Sequence, residues 1–289
     1  RRRAVVDRGA RGAGIATADR IITVSPTYAA ETVNDDEAGA GLSACLKSRG
    51  NDYSGILNGV DYTNWNPKKD PDIKTNFGVS RPTDKLENKI ELLARHGLDH
   101  SNAEDVPLIG IVCDLTEAKG MTLVAQAIDK MLPWEMRMII AGSGDPRYHR
   151  MFEQAQMRFP NKLGLNLTPS HKLVHLIMAG CDFFLVPSRI EPCGEHQFYS
   201  MRYGTIPIAR ATGGLADSIE DYSPDSKEGW GFLFYEYDSQ SLLKTVWRAI
   251  SLFKEKSNFQ AVQKRAMRLD FSWEVCAERY VEAYRALIG

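Results

Sequence analysis

"CDFFLVPSRIEPCGEHQFYSMRYGTIPIARATGGLADS", residues 181–218, decides the fold. Its first residues form a continuous apolar run closed by Pro187, and they read as a buried strand. "EPCG" is a tight turn. "HQFYSMRYG" reads as a short helix ending at Gly204. "TIPIAR" is a second apolar strand, and "TGGLADS" opens another helix after a Gly-Gly pair. A strand, a helix and a strand with no polar alternation indicate a parallel pair buried on both faces.

The same rhythm extends outward. "VPLIGIVCDL", "MRMIIAG" and "KLGLNL" are apolar strands upstream, and "GWGFLFYE" is one more downstream. "GMTLVAQAIDKML", "RYHRMFEQAQMRF" and "HKLVHLIMAG" are the helices between them. The expected fold class is therefore α/β, a doubly wound parallel sheet over residues 105–238. Residues 239–289 supply C-terminal helices, and 66–104 a Pro-rich loop and a helix closed by Gly97. In residues 1–65, "RIITVSP" reads as a short strand and "SPTYAAETV" as a capped helix. The stretch 34–55 is polar and Gly-rich.

Composition excludes several classes. The chain has 289 residues, 43% of them hydrophobic, enough for a sizeable core. With 36 basic against 37 acidic side chains the net charge is -1, which argues against a nucleic-acid or membrane-surface binder. Five scattered cysteines without a C-x-x-C pair indicate neither a disulfide framework nor a zinc motif. No apolar run reaches the ~18 residues of a membrane span. Arg1, Arg2 and Arg3 have no apolar core behind them, so no secretory signal is expected.

Ligands of such sheets bind outside the carboxyl ends of the strands. Those ends are Asp114–Gly120, Gly142–Pro146, Pro187–Glu195 and Ala211–Leu215. Gly213 and Gly214 at a helix start could present N–H groups to a phosphate, or could make an ordinary turn. Lys119 could hold a phosphate as a point charge, or could be a solvated surface lysine. Glu191 could bond sugar hydroxyls, or could simply sit well in a helix dipole. His171 and His175 have a spacing that can bind metal, but no third ligand is near them in sequence, so a helix surface is the better reading. Trp65, Trp230 and Trp273 read as packing anchors. There is no G-x-S-x-G elbow, no P-loop and no G-x-G-x-x-G fingerprint.

Taken together, "ADRIITVSPTYAAE", "LNGVDYTNWNP", "KGMTLVAQAI", "AGSGDP", "VPSRIEPCG", "MRYGTIPI", "TGGLADS" and "DFSWEVCAERYVEAY" resemble the starch synthase and bacterial glycogen synthase family. These are retaining glycosyltransferases of GT-B architecture. The resemblance implies a GT-B C-terminal Rossmann-like domain at 105–238 that binds a nucleotide-sugar. It implies that 1–65 is a remnant of the N-terminal acceptor domain with the interdomain segment. ADP-glucose or UDP-glucose would be the donor substrate, an α-1,4-glucan the acceptor, and no cofactor or metal would be needed. The setting would be a plastid stroma or a bacterial cytoplasm. Lys119 would hold the diphosphate, and Glu191 would sit at the donor glucose. N–H groups near Cys193 and Gly194 would contact the sugar. Thr212, Gly213 and Gly214 would contact phosphate, with Gly142 and Gly144 on the same donor-binding edge.

The chain also departs from the family pattern. Asp114 stands where the family has an arginine, and Glu195 and His196 follow "EPCG" where an apolar residue and Thr or Asn are usual. Leu176 replaces the arginine of a His-Arg pair, and Pro169 stands where an aromatic residue often meets the base. The family's Lys-Thr-Gly-Gly-Leu loop and catalytic histidine are not in this chain. Two expectations follow. One is a hexosyltransferase domain that alone transfers weakly or not at all. The other is an inactive synthase-like scaffold or subunit, working with a protein partner or with the rest of an N-terminal domain.

Overall fold

In the computed structural model, which describes residues 12–288, two parallel sheets form. The small one pairs β1 (Ile21–Thr23) with β2 (Tyr53–Gly55). Beside it lie α1 (Pro26–Asn34) and α2 (Ser43–Ser48). Ser25 caps α1 by accepting the Tyr28 N–H at 2.9 Å, and Pro26 fills the first turn, where its missing donor costs nothing. α2 arises inside the stretch read as polar loop. Its Leu46 is buried, and that single apolar anchor was too little to give a period. Arg1, Arg2 and Arg3 lie outside the described residues, as does the rest of the chain before Gly12.

The large sheet contains β3 (Leu108–Val112), β4 (Arg137–Ala141), β5 (Leu163–Asn166), β6 (Phe183–Val186), β7 (Ile206–Arg210) and β8 (Phe232–Phe234). All pairings are parallel, in the order β5-β4-β3-β6-β7-β8. Renumbered from the first strand, that is 3-2-1-4-5-6, the doubly wound order. Its helices are α3 (Leu86–Arg95), α4 (Met121–Met131), α5 (Pro146–Arg158), α6 (His171–Gly180), α7 (His196–Arg202) and α8 (Gly213–Ser218). The chain then adds α9 (Ser239–Lys254), α10 (Lys256–Ala266) and α11 (Trp273–Ile288).

Alternate strand residues serve opposite cores. Ile109, Ile111, Met138, Ile140 and Phe183 pack with α4, α5 and α9. Leu108, Ile139 and Phe184 pack with α3 and α6 on the other face. That two-sided burial is why the strands read as unbroken apolar runs. Phe183 is fully buried against Phe232, Phe253 and Phe259, and covering one such side chain stabilises by about 1.5–3 kcal/mol.

Buried polar groups tie the layers together. Lys89 Nζ donates to Asp182 Oδ2 at 2.6 Å, and the same oxygen accepts the Leu108 N–H at 2.8 Å. The N-terminal segment is clamped to α8 by Asp217, which accepts from the Ser25 and Thr27 hydroxyls. The start of α11 docks on residues 57–60, where Val60 N donates to Phe271 O and Cys276 Sγ to Leu57 O. Further along α11, Val281, Tyr284, Leu287 and Ile288 are exposed.

Candidate functional site

The strand order changes direction between β3 and β6. Chain leaving β3 and chain leaving β6 therefore diverge, and a crevice opens at their carboxyl ends. A cavity of about 800 Å³ lies there. It is lined by Cys113, Asp114 and Lys119 after β3, by Gly142 and Ser143 after β4, by Thr168 and Pro169 after β5, and by 187–188 and 191–197 after β6.

Lys119 reaches this crevice because Gly120 turns tightly beneath it. Gly120 has φ 78°, and a Cβ there would stand 1.9 Å from Pro187 O. Glycine alone allows both the left-handed backbone and that approach. Lys119 Nζ then donates to Glu191 Oε2 at 2.7 Å, and Ser188 Oγ donates to the same oxygen at 2.9 Å. Glu191 is 7% exposed, so its carboxylate is held nearly out of water by a charge-assisted pair.

The Gly-Gly turn supports the "EPCG" turn from below instead of sharing its cavity. A Cβ on Gly213, at φ 44°, would meet Glu191 O at 1.9 Å. Gly214 N donates to the carbonyls of Glu191 and Pro192. Thr212 Oγ1 and Gly213 N both donate to Glu31 Oε1, at 2.8 and 3.0 Å. The anion at the start of α8 is thus a side chain from α1, well placed by the helix dipole. In this structure the groups expected to meet a phosphate, at Thr212, Gly213 and Gly214, are hydrogen-bonded within the protein. None of the three lines the cavity, and the donors of the turn are already engaged. Gly144 likewise pairs with Leu115 and stands behind the lining residues Gly142 and Ser143.

The departures from the family pattern fall into two groups. Asp114 and Glu195 are exposed on the cavity wall, and His196 lines it too. Glu195 Oε2 accepts from Tyr199 Oη at 2.9 Å. Leu176 is different: it is 1% exposed, packs in the core with Leu92 and Ile139, and does not line the cavity. Its side chain faces the sheet, in the apolar cluster with Ile139 and Phe184.

Electrostatics decide what the wall can hold. Burial pushes the His196 ring below its ordinary value, so the ring is neutral near pH 7. Burial also pushes the Cys113 thiol up to about 12 and the Cys193 thiol up to about 11. Neither is a thiolate nucleophile at neutral pH. Among the described residues lining the cavity, Lys119 is the one cation beside the carboxylates of Asp114, Glu191 and Glu195, so the wall carries a formal charge of -2.

Sequence reading missed three contributors. Glu31 carries no local signal, because its role comes from a contact with α8. Arg210 Nε donates to Ser188 O at 2.9 Å and braces the turn before Glu191. His175 was read as a helix-surface residue, yet it is 3% exposed, with Nδ1 2.6 Å from Asp70 Oδ2. Trp65 packs between His175 and Tyr199, with ring centroids 4.0 and 3.9 Å away.

The family model for glycosyl transferases group 1 matches residues 99–265. Glycogen synthase of Kosmotoga olearia is 42% identical over 276 residues, 96% of this chain and 57% of that protein. Glycogen synthase of Thermotoga maritima is 41% identical over 277 residues, 96% of this chain and 56% of that protein. The chain thus spans a little over half the length of the curated relatives it matches. Among solved structures, the catalytic domain of starch synthase IV from Arabidopsis thaliana, bound to ADP and acarbose, superposes with TM-score 0.88 at 35% identity. That match covers 95% of this chain and 57% of that one. Anabaena Alr3699/HepE in complex with UDP and glucose gives TM-score 0.67 over 98% of this chain and 67% of that one, at 17% identity, a likeness of fold alone.

Proposed function

Because the chain belongs to the group 1 glycosyl transferases, in their starch and bacterial glycogen synthase branch, we propose that the β3–β6 cavity holds the nucleotide-sugar of a glucosyl transfer. The observation that carries this is the Lys119–Glu191 pair, 2.7 Å apart at the switch point of the sheet. Residues 105–238 are the donor domain. ADP-glucose, or UDP-glucose, is the donor, and an α-1,4-glucan is the acceptor. The setting is one where both occur, a bacterial cytoplasm or a plastid stroma. No helix among the described residues is long and apolar enough to cross a membrane.

The Lys119 ammonium faces the diphosphate as it gathers charge. Glu191 accepts hydroxyls of the donor glucose and steadies positive charge at C1. Backbone N–H groups near Cys193 and Gly194 meet the sugar. The bond from C1 to the diphosphate oxygen breaks, and that oxygen keeps the electron pair. The acceptor hydroxyl bonds C1 from the same face and passes its proton to the leaving diphosphate. Fixed donors and the Lys119 cation aimed at the leaving group supply this stabilisation without a metal. Asp114 and Glu195 work against it, which favours a second reading in which the chain binds weakly and serves as a scaffold. The exposed apolar residues of α11 suit a covering acceptor domain or a partner protein.

Saturation-transfer NMR with ADP-glucose and UDP-glucose tests the donor site. Glucose and base protons should receive saturation from the wild-type chain and lose it in Lys119→Ala. No transfer from the wild type would overturn the proposal. Donor binding without ADP release in the presence of glycogen, persisting when the chain is joined to an acceptor domain, would support the scaffold.

A further inference from the structure

Asp72, His171 and His175 each offer a ligand atom, and these atoms lie within 4.8 Å of one another. The two histidines stand one turn apart on α6, with ring centroids 4.5 Å apart. Asp72 comes from the loop before α3, far away in sequence, and its Oδ2 is 3.9 Å from His171 Nδ1. The third ligand that the local sequence lacks is thus supplied by the fold.

The state of His175 points to a cation. Its side chain is 3% exposed. Nδ1 is bonded to Asp70 Oδ2 at 2.6 Å, and Trp65 stacks on the ring at 4.0 Å. Nε2 is buried and meets no hydrogen-bond partner among the described residues. A carboxylate on Nδ1 keeps the proton there and leaves the Nε2 lone pair for a ligand, as in carboxylate–histidine–metal triads. A buried acceptor without a partner is otherwise costly.

We propose that His175 Nε2, a ring nitrogen of His171 and a carboxylate oxygen of Asp72 bind a divalent late first-row transition ion of the zinc class. Two imidazoles and one carboxylate suit such an ion and leave a fourth position for water. Tetrahedral ligands at the usual zinc distances lie about 3.3 Å from each other. Closing from the present spread falls to His171 and Asp72, whose side chains are 74% and 34% exposed. His175 is the fixed member, and Asp70 is its positioning residue. The positive end of the α6 dipole opposes a cation, and the charge of Asp72 offsets it. A bound ion would pin the Asp72 loop to α6, beside the Thr168–Pro169 wall of the cavity. The site is independent of the glucosyl-transfer reading.

The test is calorimetric titration of the metal-free chain with zinc, repeated with cobalt and followed by visible absorption. The expected result is one strong site, with a tetrahedral cobalt spectrum lacking sulfur charge-transfer bands. His171→Ala, at an exposed side chain, and Asp72→Ala, at a half-buried one, should keep the far-ultraviolet circular dichroism and lose the site. Asp70→Asn should weaken binding about 10- to 100-fold. Absence of zinc binding by the wild type would overturn the proposal. So would full affinity in both His171→Ala and Asp72→Ala, or a thiolate cobalt spectrum.

Discussion

Replacing Asp114 with arginine should tighten ADP binding, and the structure sets the size of the gain. Asp114 is exposed on the cavity wall. Lys119, five residues on, gives its ammonium to Glu191 at 2.7 Å and not to Asp114. Asp114 therefore acts on a bound phosphate as an unmatched charge. A charge about 4 Å from a phosphate is worth about 1 kcal/mol per unit in water-like surroundings and about 4 kcal/mol at an effective dielectric near 20. Exposure selects the lower figure. Reversal changes two units, so the gain is about 2 kcal/mol, roughly thirtyfold in Kd. Asp114→Ala changes one unit and should give about half that free energy. Calorimetry with ADP at low and at physiological salt reads both, and the gain should shrink as salt rises. If Asp114→Ala helped as much as Asp114→Arg, Asp114 would be neutralising Lys119, contrary to the geometry. No change in either variant would remove the diphosphate from this turn.

The remaining predictions concern the frame of the site. Glu31→Ala should cost about 1–2 kcal/mol in urea unfolding, because two donors at the start of α8 lose a charged acceptor, and should leave ADP affinity unchanged. Tighter ADP binding in that variant would return the Gly-Gly turn to the ligand. Phe183→Ala should cost about 3–5 kcal/mol, and a loss under about 1 kcal/mol would contradict the packing of the two-faced sheet. Burial pushes Lys85 down to about 7, so between that pH and its ordinary value near 10.4 the unfolded chain binds more protons than the folded one. That contribution to stability therefore rises with pH across the window and is lost as pH falls through 7. Urea midpoints measured from about pH 7 to about 8.5 should climb less steeply in Lys85→Met than in the wild type, and equal slopes would refute the assignment.

The large sheet was legible because its strands are buried on both faces, which leaves runs such as "MRMIIAG" without alternation. Lys119, Asp114 and Glu191 were legible as cavity residues because they follow strand ends, where the topology opens a crevice. What escaped was set by contacts between distant segments. Glu31 meets Thr212 and Gly213 only because α1 packs on α8. Asp70 and Asp72 reach α6 from a Pro-rich loop, so neither the burial of His175 nor a third ligand could be read from the His171–His175 spacing. Leu176 was judged by its neighbour in sequence, while its own side chain packs in the apolar core with Leu92 and Ile139.

If one cavity at the β3–β6 switch receives the diphosphate of a nucleotide-sugar, Lys119 is the cation that meets it. A crystal structure of the chain grown with ADP tests this most directly. A phosphate oxygen should lie within hydrogen-bond reach of Lys119 Nζ, with the base toward Thr168 and Pro169 and Thr212 still bonded to Glu31. ADP found in the hollow between Arg189, Arg210 and Thr212, or no ADP in the cavity at saturating concentration, would contradict it.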